Sequence, residues 1–124
     1  MPTPLADRFP TSVHGLPAAR PPEIVELADG DEYELRITPV AKRVGDATVR
    51  MLAYNGSIPG PTLRVPEGAT ITVHVENQGD LPTTVHWHGL RLDNRYDGTA
   101  ATQRPIGIGE RSTVRVHAPD PGLY

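Results

Sequence analysis

The sequence predicts an all-β fold, a sandwich or barrel of short strands. Three observations point there. Its periodic segments are all short, apolar residues alternate with polar ones rather than recurring at helical spacing, and 14 prolines and 12 glycines punctuate the chain between those segments. Short strands at regular spacing with Gly/Pro turns are the pattern of antiparallel sheets packed or rolled face to face. A chain of 124 residues suits one core rather than two. Pro and Gly make up about a fifth of it, below the share typical of unperiodic disorder.

In chain order, residues 1–28 read as a proline-rich extended arm, because six prolines up to Pro22 interrupt any helical or strand period. The domain proper is expected over residues 29–124. Tyr33, Leu35 and Ile37 alternate with Glu32, Glu34, Arg36 and Thr38, the signature of a half-buried strand. A second strand, Val40 to Val44, turns at Gly45-Asp46 into a third, Ala47 to Tyr54, as a hairpin. Asn55 to Pro61 contains two prolines and two glycines and reads as a loop. Further strands are expected at Thr62 to Val65, at Ala69 to Glu76 with Ile71, Val73 and Val75 inward, at Thr83 to Leu92, and at Arg111 to Ala118 with Val114 and Val116 inward.

Composition removes several function classes. The net charge is −3 with its signs interspersed, so nucleic-acid and anionic-membrane partners are not expected. The zero cysteine count excludes disulfides, thiolate zinc sites, thiol nucleophiles and any copper centre with a Cys ligand. Met1 to Arg20 has no continuous apolar stretch, so neither a secretory signal nor a transmembrane helix reads from it, and the compartment stays open.

The chemistry concentrates at His86-Trp87-His88-Gly89. On a strand, His86 and His88 would project from one face, about 7 Å apart at Cα, while Trp87 points the other way as a buried anchor. Imidazole suits copper, zinc, iron and nickel, and spacing does not choose among them. The competing reading is two ordinary histidines on a polar sheet face. Asp97 precedes Gly98, and by itself reads as a turn residue. His14 in the arm, and His74 and His117 on outward strand faces, read as surface residues. Glu23, Glu26, Asp29, Asp31, Glu32 and Glu34 read as a solvated strand edge rather than a cation site.

Several linked motifs resemble the first domain of laccase-type multicopper oxidases: Tyr54-Asn55-Gly56-Ser57-Ile58-Pro59-Gly60-Pro61-Thr62, His86-Trp87-His88-Gly89-Leu90, Asp97-Gly98, Thr102-Gln103, Pro105-Ile106 and Asp120-Pro121-Gly122-Leu123-Tyr124. Ordered motifs over residues 29 to 124 are far more specific than one short match. The resemblance implies a cupredoxin-like (plastocyanin-like) Greek-key β-sandwich that lacks its last strands, since the family's second His-x-His pair follows the segment at Tyr124. It implies copper, with His86 a type 2 ligand, His88 a type 3 ligand, and Asp97 a carboxylate beside a trinuclear cluster that reduces dioxygen to water. It further implies partners, the remaining cupredoxin domains of the same oxidase or another chain, without which this chain is expected to be inactive. Members of this family are often exported. Arg104 stands where some members carry a cysteine.

Two alternatives compete with the copper reading. A cupin, a mononuclear metal protein, also begins with His-x-His, but it would want a glutamate where this chain has Leu92 and Asp93. A metal-free β-sandwich serving as a structural or docking module is the other. A metallo-β-lactamase-type hydrolase fits less well, because Gly89-Leu90-Arg91 replaces its Asp-His continuation.

Overall fold

The computed structural model describes residues 9–124, and the first eight residues of the expected arm lie outside the described residues. Among the described residues six strands form two sheets: β1 (Ile24–Glu26), β2 (Glu32–Val44), β3 (Ala47–Tyr54), β4 (Thr62–Arg64), β5 (Thr70–Asn77) and β6 (Arg111–His117). The larger sheet has the order β3-β2-β5-β6 and the smaller pairs β1 with β4. The inward residues anticipated from alternation form the core, with Leu35, Ile37, Ile71, Val73, Val75, Val114 and Val116 all buried. Leu63 of β4 packs on them from the opposite layer, as do Val85, Trp87 and Leu90. No helix among the described residues is long and apolar enough to cross a membrane.

Three features depart from the expectation. The sheets are mixed rather than antiparallel: β2–β3 and β5–β6 run antiparallel, but β2–β5 and β1–β4 run parallel. The chain between β2 and β5 passes through β3 and β4, long enough for the crossover that a parallel pair requires. The two strands expected around Pro39 are one 13-residue strand, β2. Its parity explains the tolerance. Ala41 exchanges hydrogen bonds of 2.9 Å with the arm, donating to the Pro17 carbonyl and accepting from the Ala19 N–H. Pro39, two residues earlier, faces that same side, where β5 has already ended at Ile37↔Asn77, so its missing N–H breaks no ladder. Finally, Ile24–Glu26 is a strand within a stretch that carries no readable period.

The hairpin forms as anticipated, closing from Val44 to Ala47, with Gly45 at φ +59. At the other end of β3 the Asn55-Gly56 pair has φ of +50 and +76, the requirement of a type I′ turn at both central positions. Asn55 also pins the turn to β2, accepting from Arg36 N at 2.7 Å and donating to the Glu34 carbonyl at 3.0 Å and Tyr33 Oη at 2.9 Å. The polar face of the larger sheet is laced by pairs across strands, including Arg36–Glu76 at 3.3 Å and Arg111–Glu34 at 2.8 Å. Both reach solvent, where screening keeps such pairs weak.

Among the described residues, Asn77 is the one polar side chain at full burial, 0 % exposed. It donates to the carbonyls of Leu81 and Ile106 at 2.8 and 3.0 Å and accepts from Gly79 N at 2.9 Å. The end of β5 is thereby tied to both loops that lead toward the histidine segment. Asn77→Ala should lower stability by about 2–6 kcal/mol, because the Leu81 carbonyl and the Gly79 N–H lose their partners at about 1–3 kcal/mol each. Urea denaturation measures this, and a loss below about 1 kcal/mol would mean that water satisfies both groups instead.

Candidate metal centre

The segment carrying the histidines is not the strand that alternation predicts. Thr83 pairs with Ile106 through two hydrogen bonds of 3.0 and 2.7 Å, and no ladder continues past that bridge among the described residues. Among the described residues no strand forms a ladder with residues 84–92. The alternation itself is real. Val85 and Trp87 pack inward while His86 and His88 are exposed, since an extended backbone alternates its side chains with or without a ladder. Trp87 thus serves as the expected anchor, although its buried Nε1 has no acceptor. Beyond it Leu90 N donates to the Trp87 carbonyl at 3.2 Å, closing a turn with Gly89 at φ +91, which fits the third position of a type II turn.

The second half of the site is the loop at Asn94–Tyr96, a single 3-10 turn capped by Asp93, whose carboxylate accepts from Arg95 N at 2.9 Å. Hydrogen bonds from the Arg95 side chain hold the Asp93 carboxyl down to about 2. Asp97 follows and brings its main-chain carbonyl to 2.7 Å from His86 Nδ1, with its carboxylate Oδ2 farther away at 3.6 Å. A carbonyl only accepts, so Nδ1 carries the proton and Nε2 keeps its lone pair. His88 Nδ1 stands 3.4 Å from that Nε2, with the rings at 71° and their centroids 5.5 Å apart.

Gly98 makes this approach possible. Its φ is +79, and a β-carbon there would sit 1.7 Å from the Val85 carbonyl oxygen and 3.3 Å from His86 Cα. The loop therefore lies directly against the backbone that carries the histidine. Gln103 closes the loop: its Oε1 accepts from Gly98 N and, at 2.8 Å, from Thr102 Oγ1, while its Nε2 donates to the Asn94 carbonyl at 2.5 Å.

The segment Asp120 to Tyr124 lies against the same turn. Arg91 and Asp120 form a bidentate pair with both contacts at 2.8 Å, and the Arg91 hydrogen bond lowers the Asp120 carboxyl below its ordinary value while raising that of Arg91. The Tyr124 ring covers Gly89, where a β-carbon would approach Cδ1 to 3.0 Å. Between this segment, β4 and the larger sheet runs a groove of about 640 Å3 whose floor includes Leu35, Ile71 and Val116 and whose wall includes His86 and Trp87.

Of the residues singled out from sequence, His86, His88 and Asp97 come together. The others do not join them. His74 sits between Thr113 Oγ1 at 3.0 Å and Glu32 at 3.3 Å, His117 contacts Thr70 Oγ1 at 3.0 Å, and His14 is exposed in the arm. The acidic stretch serves local structure: Asp29 and Asp31 accept from backbone N–H groups and Glu26 pairs with Arg64. Arg104 pairs with Glu110 at 3.0 Å. Sequence reasoning gave Gln103 no role of its own beyond its place in the Thr102-Gln103 motif, and did not anticipate that the Asp97 main-chain carbonyl lies nearer to His86 than its carboxylate does. The imidazole pair fits copper, for which nitrogen donors are suited. No group of three His, Cys, Asp or Glu able to hold a metal occurs among the described residues.

Two packed β-sheets with a pair of imidazoles presented at one edge of the core describe a cupredoxin-like metal domain, and comparison with known proteins agrees. The profile of the multicopper oxidase family matches residues 36–124. A multicopper oxidase of Mycobacterium tuberculosis is 43% identical over 90 residues, covering 71% of this chain and 18% of that protein. Laccase-7 of Arabidopsis thaliana is 45% identical over 64 residues, 49% of this chain and 11% of that protein. Among solved structures, a multi-copper oxidase from Pseudomonas thermotolerans superposes with a TM-score of 0.70 at 33% identity, over 79% of this chain and 24% of the other. This chain belongs to the multicopper oxidase family. It spans less than a fifth of the length of those two curated relatives. The family sets aside the cupin and metal-free readings, and it implies copper.

Gly98→Ala should cost more than about 3 kcal/mol, since it combines an unfavourable φ with a backbone collision. Gly109 provides the comparison, having φ +80 but nothing within 4 Å of a β-carbon, so Gly109→Ala should cost only about 1–2 kcal/mol of strain. Thermal denaturation of the two variants side by side decides it. Equal losses would show that the contact with Val85 carries no weight.

Proposed function

We propose that this chain supplies His86 and His88 as ligands of different copper ions, His86 to a type 2 and His88 to a type 3 copper, in a trinuclear cluster that reduces dioxygen to water. The observation that carries the reading is the arrangement at His86: its Nδ1 is engaged by the Asp97 carbonyl at 2.7 Å, which leaves Nε2 as a lone-pair donor directly beside the second imidazole. When bound, the copper ions supply the electrons that dioxygen takes up. The chain's own residues do the rest of the work assigned to it. Val85 and Trp87 anchor the backbone so that both rings face one way, and the Asp97 carbonyl sets the orientation of the first. The Asp97 carboxylate, 28% exposed, is close enough to solvent to pass a proton to water held near the histidines.

Two nitrogens do not complete a copper site, and the described residues contain no third ligand grouped with them. The remaining ligands would come from other cupredoxin domains of the same oxidase or from another chain. The absence of cysteine assigns the substrate-oxidising type 1 copper to that other sequence too. In this reading residues 29–124 carry the copper-binding domain and residues 1–28 are its proline-rich N-terminal arm.

Cu(II) titration and phenol oxidation test the proposal on this chain and on the longer oxidase carrying the remaining domains. This chain should bind Cu(II) without oxidising phenols, and His86→Ala or His88→Ala should each weaken binding by more than the ~10-fold that losing an outer hydrogen bond costs. Oxidase activity from this chain alone, or a longer oxidase that stays fully active with His86→Ala, would refute it.

A further inference from the structure

The Asp97 carbonyl orients His86 only if the loop that carries it is held in place, and one side chain spans that loop. Asn94 begins the 3-10 turn and Gly98 ends the loop, so the Asp97 carbonyl lies between them. Gln103 is bonded to both: Nε2 donates to the Asn94 carbonyl and Oε1 accepts from Gly98 N. A second donor to Oε1, Thr102 Oγ1 at 2.8 Å, in turn accepts from Thr99 Oγ1 at 3.1 Å and fixes the amide from behind. The chemistry required at this position is narrow. The group must accept twice and donate once on opposite sides, which a glutamine amide does, a carboxylate does only in part, and an aliphatic side chain not at all.

We infer that Gln103 is a positioning residue for His86: by clamping Asn94 and Gly98 it holds the Asp97 carbonyl on Nδ1 and so fixes the tautomer that leaves Nε2 available to a metal. The inference rests on the reading of His86 as a copper ligand. Its structural half does not need the metal. Without the clamp, the Gly98 N–H loses its acceptor, the loop is free to lift from the Val85 backbone, and the carbonyl that holds the proton on Nδ1 goes with it. His86 then takes the Nε2–H form that a free imidazole prefers, which blocks the nitrogen a metal would use. Outer hydrogen bonds of this kind are worth about 10- to 100-fold in metal affinity.

The test is made on the metal-free 124-residue chain by nitrogen-15 NMR of the histidine rings, followed by Cu(II) titration. The unmodified chain should show His86 in the Nδ1–H form. Gln103→Leu should shift it toward Nε2–H and weaken Cu(II) binding about 10- to 100-fold. Gln103→Glu keeps the acceptor and loses the donor, and Thr102→Val removes one bond to Oε1, so both should give smaller shifts in the same direction. Val40→Ala, which truncates a fully buried side chain on β2, a strand that does not touch the 3-10 turn, should lower thermal stability and leave the His86 ring signals where they are, which a merely structural role for Gln103 would not distinguish from Gln103→Leu. An unchanged tautomer in folded Gln103→Leu overturns the inference, as does an unchanged tautomer in both milder variants should Gln103→Leu fail to fold. If the unmodified chain shows the Nδ1–H form but takes up no copper, the copper reading falls while the ring signals still decide the role of Gln103.

Discussion

Between Gly98 and the Val85 carbonyl there is no room for a β-carbon, and the site depends on that closeness. Two stretches that form no ladder with one another, the histidine segment and the loop after the 3-10 turn, are brought into backbone contact at this point. Once they touch, the Asp97 carbonyl falls at hydrogen-bonding distance from His86, and the ring has one orientation and one tautomer. A longer side chain at residue 98 would separate the two stretches and free the imidazole. The glycine thus acts through its size as well as through its positive φ, whereas Gly109 needs only the conformational freedom.

The sheets matter to the site mainly as a floor. Val85 and Trp87, both partly buried, press on the core built from β2, β5 and β6, and the roughly 1.5–3 kcal/mol that full burial of a large apolar side chain contributes is the upper bound for Val85. That burial keeps an irregular segment extended without the hydrogen bonds of a strand. Asn77 and the Thr83–Ile106 bridge fix where the segment begins. The Arg91–Asp120 pair ties its far end to the segment Asp120 to Tyr124. The histidines are therefore held from behind and from both ends while their rings stay exposed, which lets ligands from elsewhere reach them.

Much of this was legible in the sequence wherever side-chain alternation carried the information. Leu35 and Ile37, then Ile71, Val73 and Val75, then Val114 and Val116 gave their faces away because period-two burial is written residue by residue. Gly45-Asp46 and Asn55-Gly56 marked their turns for the same local reason, a requirement for positive φ. Alternation does not reveal whether a partner strand is present. The stretch from Thr83 to Leu92 alternates as a strand does and yet forms none, while Ile24–Glu26 forms one through β4 with no pattern of its own. Pro39 looked like a boundary because its consequence depends on which edge of β2 is occupied. The hub roles of Gln103 and Asn77 were invisible, since most of their partners are main-chain N–H and C=O groups, which residue identity does not reveal.

The two histidines are not equivalent, and their inequality follows from hydrogen-bond polarity. With the Nδ1 proton of His86 given to the Asp97 carbonyl, His86 Nε2 is an acceptor, so in the contact at 3.4 Å the donor must be His88 Nδ1. His88 then keeps its own lone pair on Nε2. That contact occupies the nitrogen of His86 that a metal would need, and it is long for a hydrogen bond, so breaking it costs less than the ~1 kcal/mol of an ordinary one. The pair therefore satisfies itself in the metal-free chain and parts at little cost. In the proposed copper reading only the His88 ring has to turn, because the Asp97 carbonyl already fixes the orientation of His86. A site assembled from several segments gains from such an arrangement: one ring is set in advance by its own chain, and the other is left free to adapt to ligands that arrive from outside it.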